Sequence, residues 1–223
     1  MIRAVVRDDK SEVVKLLETS PSLARQSLAI GASRNGAADF FFKEIMHYMY
    51  AGDTPLHAAA AGYRIDIARL LIRNGALVGA RNRRGAEPLH YAADGGPGSP
   101  QWNPQAQAAT IVFLIEAGAD PNALDKSGVA ALHRAVRQRC PSAVDALLRH
   151  GALVRLRNKS GATPLHLAVQ NTGKSGSGSP DSKACQEEII QILLHRGASP
   201  HDRDANGKTV GQSAQGDWIH ALL

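Results

Sequence analysis

The chain is poor in cysteine and in aromatic residues, and it lacks a long apolar run. Two cysteines in 223 residues are too few for a disulfide scaffold and are typical of a reducing compartment. Aromatic residues make up only 4% of the chain, which excludes a core built on large rings. No stretch of 18 apolar residues occurs, and the first residues lack the apolar core of a secretory signal. We therefore expect a soluble cytoplasmic protein that does not associate with membranes.

Motifs that carry catalysis are missing as well. The sequence contains no G-x-S-x-G, no H-E-x-x-H and no Cys/His pair at metal-ligand spacing. The segment GKSGSGS at 173–179 lacks the residue order of a phosphate-binding loop. We expect neither an enzyme nor a protein that holds a cofactor or a metal.

The chain instead repeats one motif four times. Residues 54–60 read TPLHAAA, and the related segments EPLHYAA, AALHRAV and TPLHLAV begin at positions 87, 130 and 163. Their histidines are separated by 33, 43 and 33 residues, and a Gly-Ala pair recurs in the same register at 75, 118, 151 and 197. Two independent markers therefore indicate one repeat of 33 residues that insertions interrupt.

A period of 33 residues that carries T-P-L-H-x-A resembles the ankyrin repeat, and the resemblance extends over nearly the whole chain. It implies a single all-α domain over residues 1–223, in which about six helix pairs stack as a solenoid and finger loops connect successive pairs. The first and last pairs are abbreviated. Met1 falls inside a helix, which leaves open a natural cap or a lost upstream repeat, and Gln212 replaces the histidine of the last unit.

One repeat illustrates how the residues define the helices. Thr54 can cap the first helix, and Pro55 occupies the first helical position, where its missing N–H costs nothing. The second helix ends at Gly75, a residue that adopts the left-handed conformation at a helix end without strain.

The repeated histidines allow two interpretations, a metal site or a structural role. Equivalent positions in stacked repeats lie about 10 Å apart, whereas two ligands of one zinc ion must each approach it to about 2 Å. The ankyrin resemblance implies instead that each histidine hydrogen-bonds the backbone and the neighbouring motif. The residues concerned are His57, His90, His133 and His166.

The first insertion, residues 26–53, contains five of the ten aromatic residues and both methionines other than Met1. By the repeat register it lies on the side of the finger loops, where ankyrin proteins form a concave groove. In one interpretation residues 38–50 form a short helix that covers the solenoid with a stripe of Phe41, Ile45, Tyr48 and Met49. In the other, exposed aromatic rings anchor a partner.

Two further insertions, residues 97–106 and 173–185, interrupt the turn between the helices of a pair. The first carries Trp102 between prolines, and the second is a Gly/Ser tract. Tolerated length variation and partner contact remain alternatives for both. Cys140 and Cys185 lie at nearly equivalent repeat positions, so a bridge between them also stays open.

Basic residues concentrate in two fingers, RNRR at 81–84 and RLRNK at 155–159, within a chain of net charge +6. If fingers and first helices line the groove, as the resemblance implies, a protein with acidic character is the expected partner of a monomeric module. A nucleic acid or another anionic surface is the alternative, disfavoured because no aromatic residues are interleaved for base stacking. A structural module of a larger assembly is the third. The candidate partner-binding residues are Arg81, Arg83, Arg84, Tyr91, Lys126, Arg134, Arg157 and Lys159, with Phe40, Tyr48, Tyr50 and Trp102.

Overall fold

The computed structural model describes residues 1–33, 36–97, 100, 102–170 and 180–223. Twelve α-helices lie among these residues and follow one another as six pairs. They are α1 (Ile2–Val6) and α2 (Lys10–Thr19), α3 (Pro55–Ala61) and α4 (Ile65–Arg73), α5 (Pro88–Ala92) and α6 (Pro104–Glu116), α7 (Ala131–Arg137) and α8 (Pro141–Arg149), α9 (Pro164–Ala168) and α10 (Pro180–His195), and α11 (Val210–Ser213) and α12 (Asp217–His220).

The helix pairs stack in sequence order, and this confirms the predicted all-α architecture. First helices pack on first helices, α3 on α5 and α7 on α9, while second helices pack on second helices, α6 on α8 and α8 on α10. Alanines such as Ala58, Ala59 and Ala60 are completely buried, so neighbouring helices approach closely. None of the helices in the described part of the chain is both long enough and apolar enough to span a bilayer.

In three of the four copies, the motif histidine connects its first helix to the next repeat. The backbone N–H of Thr54 donates to Nδ1 of His57 at 3.1 Å, so the ring proton resides on Nε2, which donates to the carbonyl of Ala86 at 3.1 Å. The other copies accept from the residue three positions earlier in the same way, at His90, His133 and His166. His90 and His166 also reach the carbonyls of Val129 and Lys208.

The finger loops are connected to one another through their backbones. The N–H of Arg83 donates to the carbonyl of Ala51 at 2.8 Å, and that of Lys126 donates to Arg84 at 2.9 Å. Lys159 and Ala205 continue the series at 3.4 and 3.0 Å, with Ser127 and Ser160 as acceptors. The fingertips therefore form a continuous edge along the stack.

The first insertion does not form the helix over 38–50 that one interpretation predicts. A 3-10 turn at Ala38–Phe40 leads into a hairpin of two short antiparallel strands, β1 (Phe41–Phe42) and β2 (His47–Tyr48). The turn between the strands contains Met46, whose φ of 48° is a left-handed conformation that an α-helix excludes.

The stripe predicted for that helix is only partly buried. Ile45 and Met49 are buried, as the stripe requires, whereas Tyr48 is 40% exposed. A hairpin alternates its side chains between two faces, which separates residues that a helix would place on one side.

A helix begins inside each of the two later insertions. Helix α6 starts at Pro104, two residues before the predicted end of the loop 97–106, and Asn103 caps it by accepting from the N–H of Ala106 at 2.9 Å. Helix α10 starts at Pro180, so residues 180–185 are helical. The Gly/Ser residues 171–179 lie outside the described part of the chain.

Candidate partner-binding groove

The hairpin of the first insertion lies across the groove on the finger side of α5. Nε2 of His47 is 3.3 Å from Oδ2 of Asp94 at the end of α5, and the His47 ring centroid is 4.3 Å from that of Tyr91. The turn residue Ile45 is buried against Gly62 at the end of α3, where an added Cβ would stand only 2.7 Å from Cγ2 of Ile45. A bare glycine backbone at this position is what lets the hairpin dock.

Tyr91 lies under the hairpin and is 2% exposed, which corrects its prediction as a partner-binding residue. Its hydroxyl donates to Oδ2 of Asp53 at 2.7 Å and accepts from Nδ2 of Asn82 at 3.0 Å. Burial, together with the neighbouring Asp53 carboxylate, raises the pKa of the Tyr91 phenol, so the hydroxyl stays a donor. Tyr91 therefore joins the insertion, a finger and α5 from the inside.

Arg134 is also engaged within the chain, and its prediction as a free groove cation is corrected in the same way. Its guanidinium bridges Oδ2 of Asp94 at 2.5 Å and Oδ2 of Asp125 at 2.9 Å. Burial alone would raise the pKa of the Asp94 carboxyl, but the charge of Arg134 and the contact with His47 outweigh it and lower that pKa. The groove floor at α5 and α7 is thus a paired network with no spare charge on Arg134.

The hairpin separates two cavities, of about 620 and 560 Å³, and Met46 and His47 line both. The first cavity lies toward the second insertion and is bounded by Tyr63, Arg64 and Trp102. The second lies toward the fingers, and its walls include Tyr48, Tyr50, Arg84 and Arg137.

Trp102 is half-buried at the wall of the first cavity rather than free in a loop. Its Nε1–H donates to Oε1 of Gln107 at 2.8 Å, and the Gln107 amide donates in turn to the carbonyls of Ala92 and Gly95. Trp102 is therefore held against the end of α5 through Gln107.

The aromatic candidates of the first insertion differ in exposure. Phe40 is half-buried, and Tyr48 is exposed with its ring centroid 4.8 Å from that of Phe41. Tyr50 lies beside two guanidinium groups, that of Arg84 at 4.9 Å and that of Arg83 at 5.7 Å from the ring centroid. Cation–π contact of this kind holds both arginines against the insertion.

The basic residues of the fingers fall into two groups. Arg81 pairs with Glu87 at 3.0 Å, and the guanidinium of Arg83 donates to the carbonyl of Ala32. Arg155 pairs with Asp202, and the exposed Arg84 lies over the Tyr50 ring. Three further finger cations are exposed, and no described residue supplies an acidic partner to their side chains. They are Lys126, Arg157 and Lys159.

Sequence reasoning missed three residues of this region, His47, Tyr63 and Asp94. Asp94 follows the motif histidine by four residues, as Arg137 does in the next repeat. Alignment of the two repeats could therefore have placed Asp94 near the first helix that carries Arg134. Tyr63 carries a positive φ of 57° and follows Gly62 at the end of α3. Nothing in the local sequence of His47 indicates that it reaches α5.

Comparison with known proteins agrees with this architecture. A family model of ankyrin repeats matches residues 2–99 and 104–204. The chain is 37% identical to ankyrin repeat and SOCS box protein 16 of Mus musculus over 66% of this chain and 31% of that protein. It is 36% identical to the B-cell lymphoma 3 protein homolog of Mus musculus over 77% of this chain and 34% of that protein.

A third relative, E3 ubiquitin-protein ligase KEG of Arabidopsis thaliana, is 27% identical over 96% of this chain but only 15% of its own length. The chain thus spans about a third or less of these relatives. What they share with it is the repeat array, and ankyrin repeats generally serve in protein–protein interaction. The chain belongs to the ankyrin repeat family.

Proposed function

We propose that this chain is a cytoplasmic, monomeric interaction module that binds an acidic segment of another protein along its finger edge. The observation that carries the proposal is the contrast among its groove cations. Arg81 and Arg134 are neutralised by carboxylates of the chain itself, whereas Lys126, Arg157 and Lys159 are exposed without an acidic partner in the described residues. A free set of like charges on one edge favours a ligand of opposite charge.

The second cavity supports the same edge as the contact surface. It opens beside the fingers, and the exposed Tyr48 and the half-buried Tyr50 provide aromatic area next to Arg84 and Arg137. Aromatic and arginine side chains are the types that most often dominate binding energy at protein interfaces. An acidic segment with one apolar side chain would satisfy both the charges and the cavity.

Charge reversal of the three free finger cations tests the proposal. The variant Lys126→Glu, Arg157→Glu, Lys159→Glu is compared with the wild-type chain as bait for proteins in a cell extract. We expect at least one captured protein to be lost, and its binding to the wild type to weaken as salt rises, because exposed charges are screened. The matched control reverses three exposed cations outside the fingers, Arg7, Lys15 and Arg73.

Two results would contradict the proposal. One is capture of the same proteins by the wild type and the finger variant. The other is retention on DNA or heparin that is independent of sequence, falls steeply with salt and accounts for all binding, since that behaviour is typical of a general polyanion binder.

A further inference from the structure

Two of the free cations occupy equivalent positions on successive fingers. Lys126 is the second residue of the finger turn 125–128, and Lys159 is the second residue of the finger turn 158–161. Each donates its backbone N–H to a carbonyl of the preceding finger. Equivalent positions of stacked helical repeats are separated by about 10 Å. The backbone positions from which the two lysine side chains extend are therefore set by the repeat itself.

The stems of these lysines also start from equivalent places. A Cβ added at Gly85 would stand 3.1 Å from Cγ of Lys126, and one added at Gly128 would stand 3.0 Å from Cγ of Lys159. Each stem thus lies across the turn glycine of the preceding finger, where φ is 75° and 71°. The same arrangement occurs twice, so both side chains begin at equivalent places on the same edge.

The first insertion limits which ligand conformation fits this edge. Met46 and His47 cover the groove floor at α5, so a helix about 10 Å wide has no continuous groove along the stack. In a β-strand, residues three apart are separated by about 10 Å but point to opposite faces. In a polyproline II helix, residues three apart are separated by about 9.3 Å and point to the same face.

We propose that the finger edge recognises an acidic segment in the polyproline II conformation, with carboxylates three residues apart that pair with Lys126 and Lys159. This inference rests on the proposed function, since it specifies the spacing and conformation of the acidic partner. The recognised pattern is acid-x-x-acid, in a segment that proline keeps extended.

Synthetic peptides test the spacing directly. Three end-capped polyproline peptides of equal length each carry three Glu, spaced two, three or four residues apart, so composition and charge are the same. Binding is measured by NMR titration of the full chain at low salt. We expect the three-residue spacing to bind roughly fivefold more tightly than either of the others, the gain available from two exposed ion pairs held in register.

Variants assign the effect to the two lysines. In the variant Lys126→Gln or Lys159→Gln, we expect the three peptides to bind with about equal affinity. A single cation cannot distinguish how far apart two carboxylates lie. Arg157→Gln is the matched control, since it removes a free charge from the same finger as Lys159 without changing the pair. It should weaken all three peptides equally.

The outcomes separate this inference from the proposed function. If the three peptides bind with equal affinity and charge reversal abolishes that binding, the acidic partner of the proposed function is supported. The three-residue spacing of the carboxylates is then wrong. Tighter binding of an alanine-based helical peptide with Glu seven residues apart would overturn the extended conformation. Loss of a captured protein only in the finger variant, with no spacing preference, would likewise support the function and reject the inference.

Discussion

Among single residues, the motif histidines couple the fold to pH. Burial lowers the pKa of His57, His90 and His133. For His90 it lowers the pKa to about 4, despite the raising effect of the hydrogen bond to the Val129 carbonyl. The structure needs each ring neutral, because Nδ1 accepts from a backbone N–H. Protonation would convert that acceptor into a donor facing another donor.

We expect the free energy of unfolding to fall as pH decreases from about 6.5 to about 4. The unfolded histidine binds a proton near pH 6.5 and the folded one only near 4, so His90 alone accounts for a loss of about 3 kcal/mol across that window. Urea unfolding at several pH values measures it.

The variant His90→Gln provides the control, because Gln212 already fills this position in the last repeat and accepts from the N–H of Thr209 at 3.0 Å. The variant should lose less stability between pH 6.5 and 4 than the wild type does. An unchanged pH dependence would show that His90 is not the titrating group.

At the same scale, the sequence predicts which positions face the groove but not which side chains are free. Tyr91 and Arg134 lie on first helices, and both are predicted to face the groove. Their partners come from elsewhere: Asp53 ends the first insertion, and Asp94 belongs to the preceding repeat. Pairing of this kind depends on tertiary contact, and one sequence without the fold does not contain it.

Among elements, the hairpin of the first insertion depends on a single close approach. We expect Gly62→Ala to displace the turn around Ile45, because the added Cβ would overlap Cγ2 and such overpacking costs about 1–3 kcal/mol. Hydrogen exchange should become faster in residues 45–49 and stay unchanged in the helices of the stack.

A second glycine supplies the comparison. Gly211→Ala adds the same methyl group to helix α11, where the nearest atoms would lie 3.9 Å or more from the new Cβ. This control should leave the exchange of the hairpin as it is. If Gly62→Ala also left it unchanged, Ile45 would not be held by the end of α3.

The hairpin also shows why the interpretation of residues 38–50 as a helix fails. Residues 38–50 carry apolar side chains at helical spacing, and no Asn-Gly or Asp-Gly pair marks a hairpin turn. The positive φ at Met46 is adopted without glycine, so the turn leaves no signature in the residue types. The repeat helices, by contrast, were predicted well because the Leu-His motif and the Gly-Ala pairs recur in register.

For the whole molecule, stacking predicts unequal sensitivity along the chain. Leu147 in α8 is completely buried between neighbouring units, whereas Ile219 in α12 is equally buried but belongs to the last unit. We expect Leu147→Ala to lower the free energy of global unfolding by about 2–5 kcal/mol. The variant Ile219→Ala should mainly loosen residues 209–223 of this chain, since in the described residues their unit packs on the α9–α10 pair.

Urea unfolding combined with hydrogen exchange distinguishes the two effects. Equal loss of global stability in both variants would mean that the last unit unfolds together with the rest and that the nearest-neighbour description does not hold.

The hairpin has a mechanical consequence for the stack. The hairpin lies in the segment between the first and second helix pairs and contacts Tyr91 and Asp94 of the third, so it connects three units across their inner side. Bending the array at these units would have to compress the hairpin or break its contacts with the third pair. In the described residues beyond α7 no comparable brace crosses the inner side, so elastic bending should concentrate in the C-terminal half.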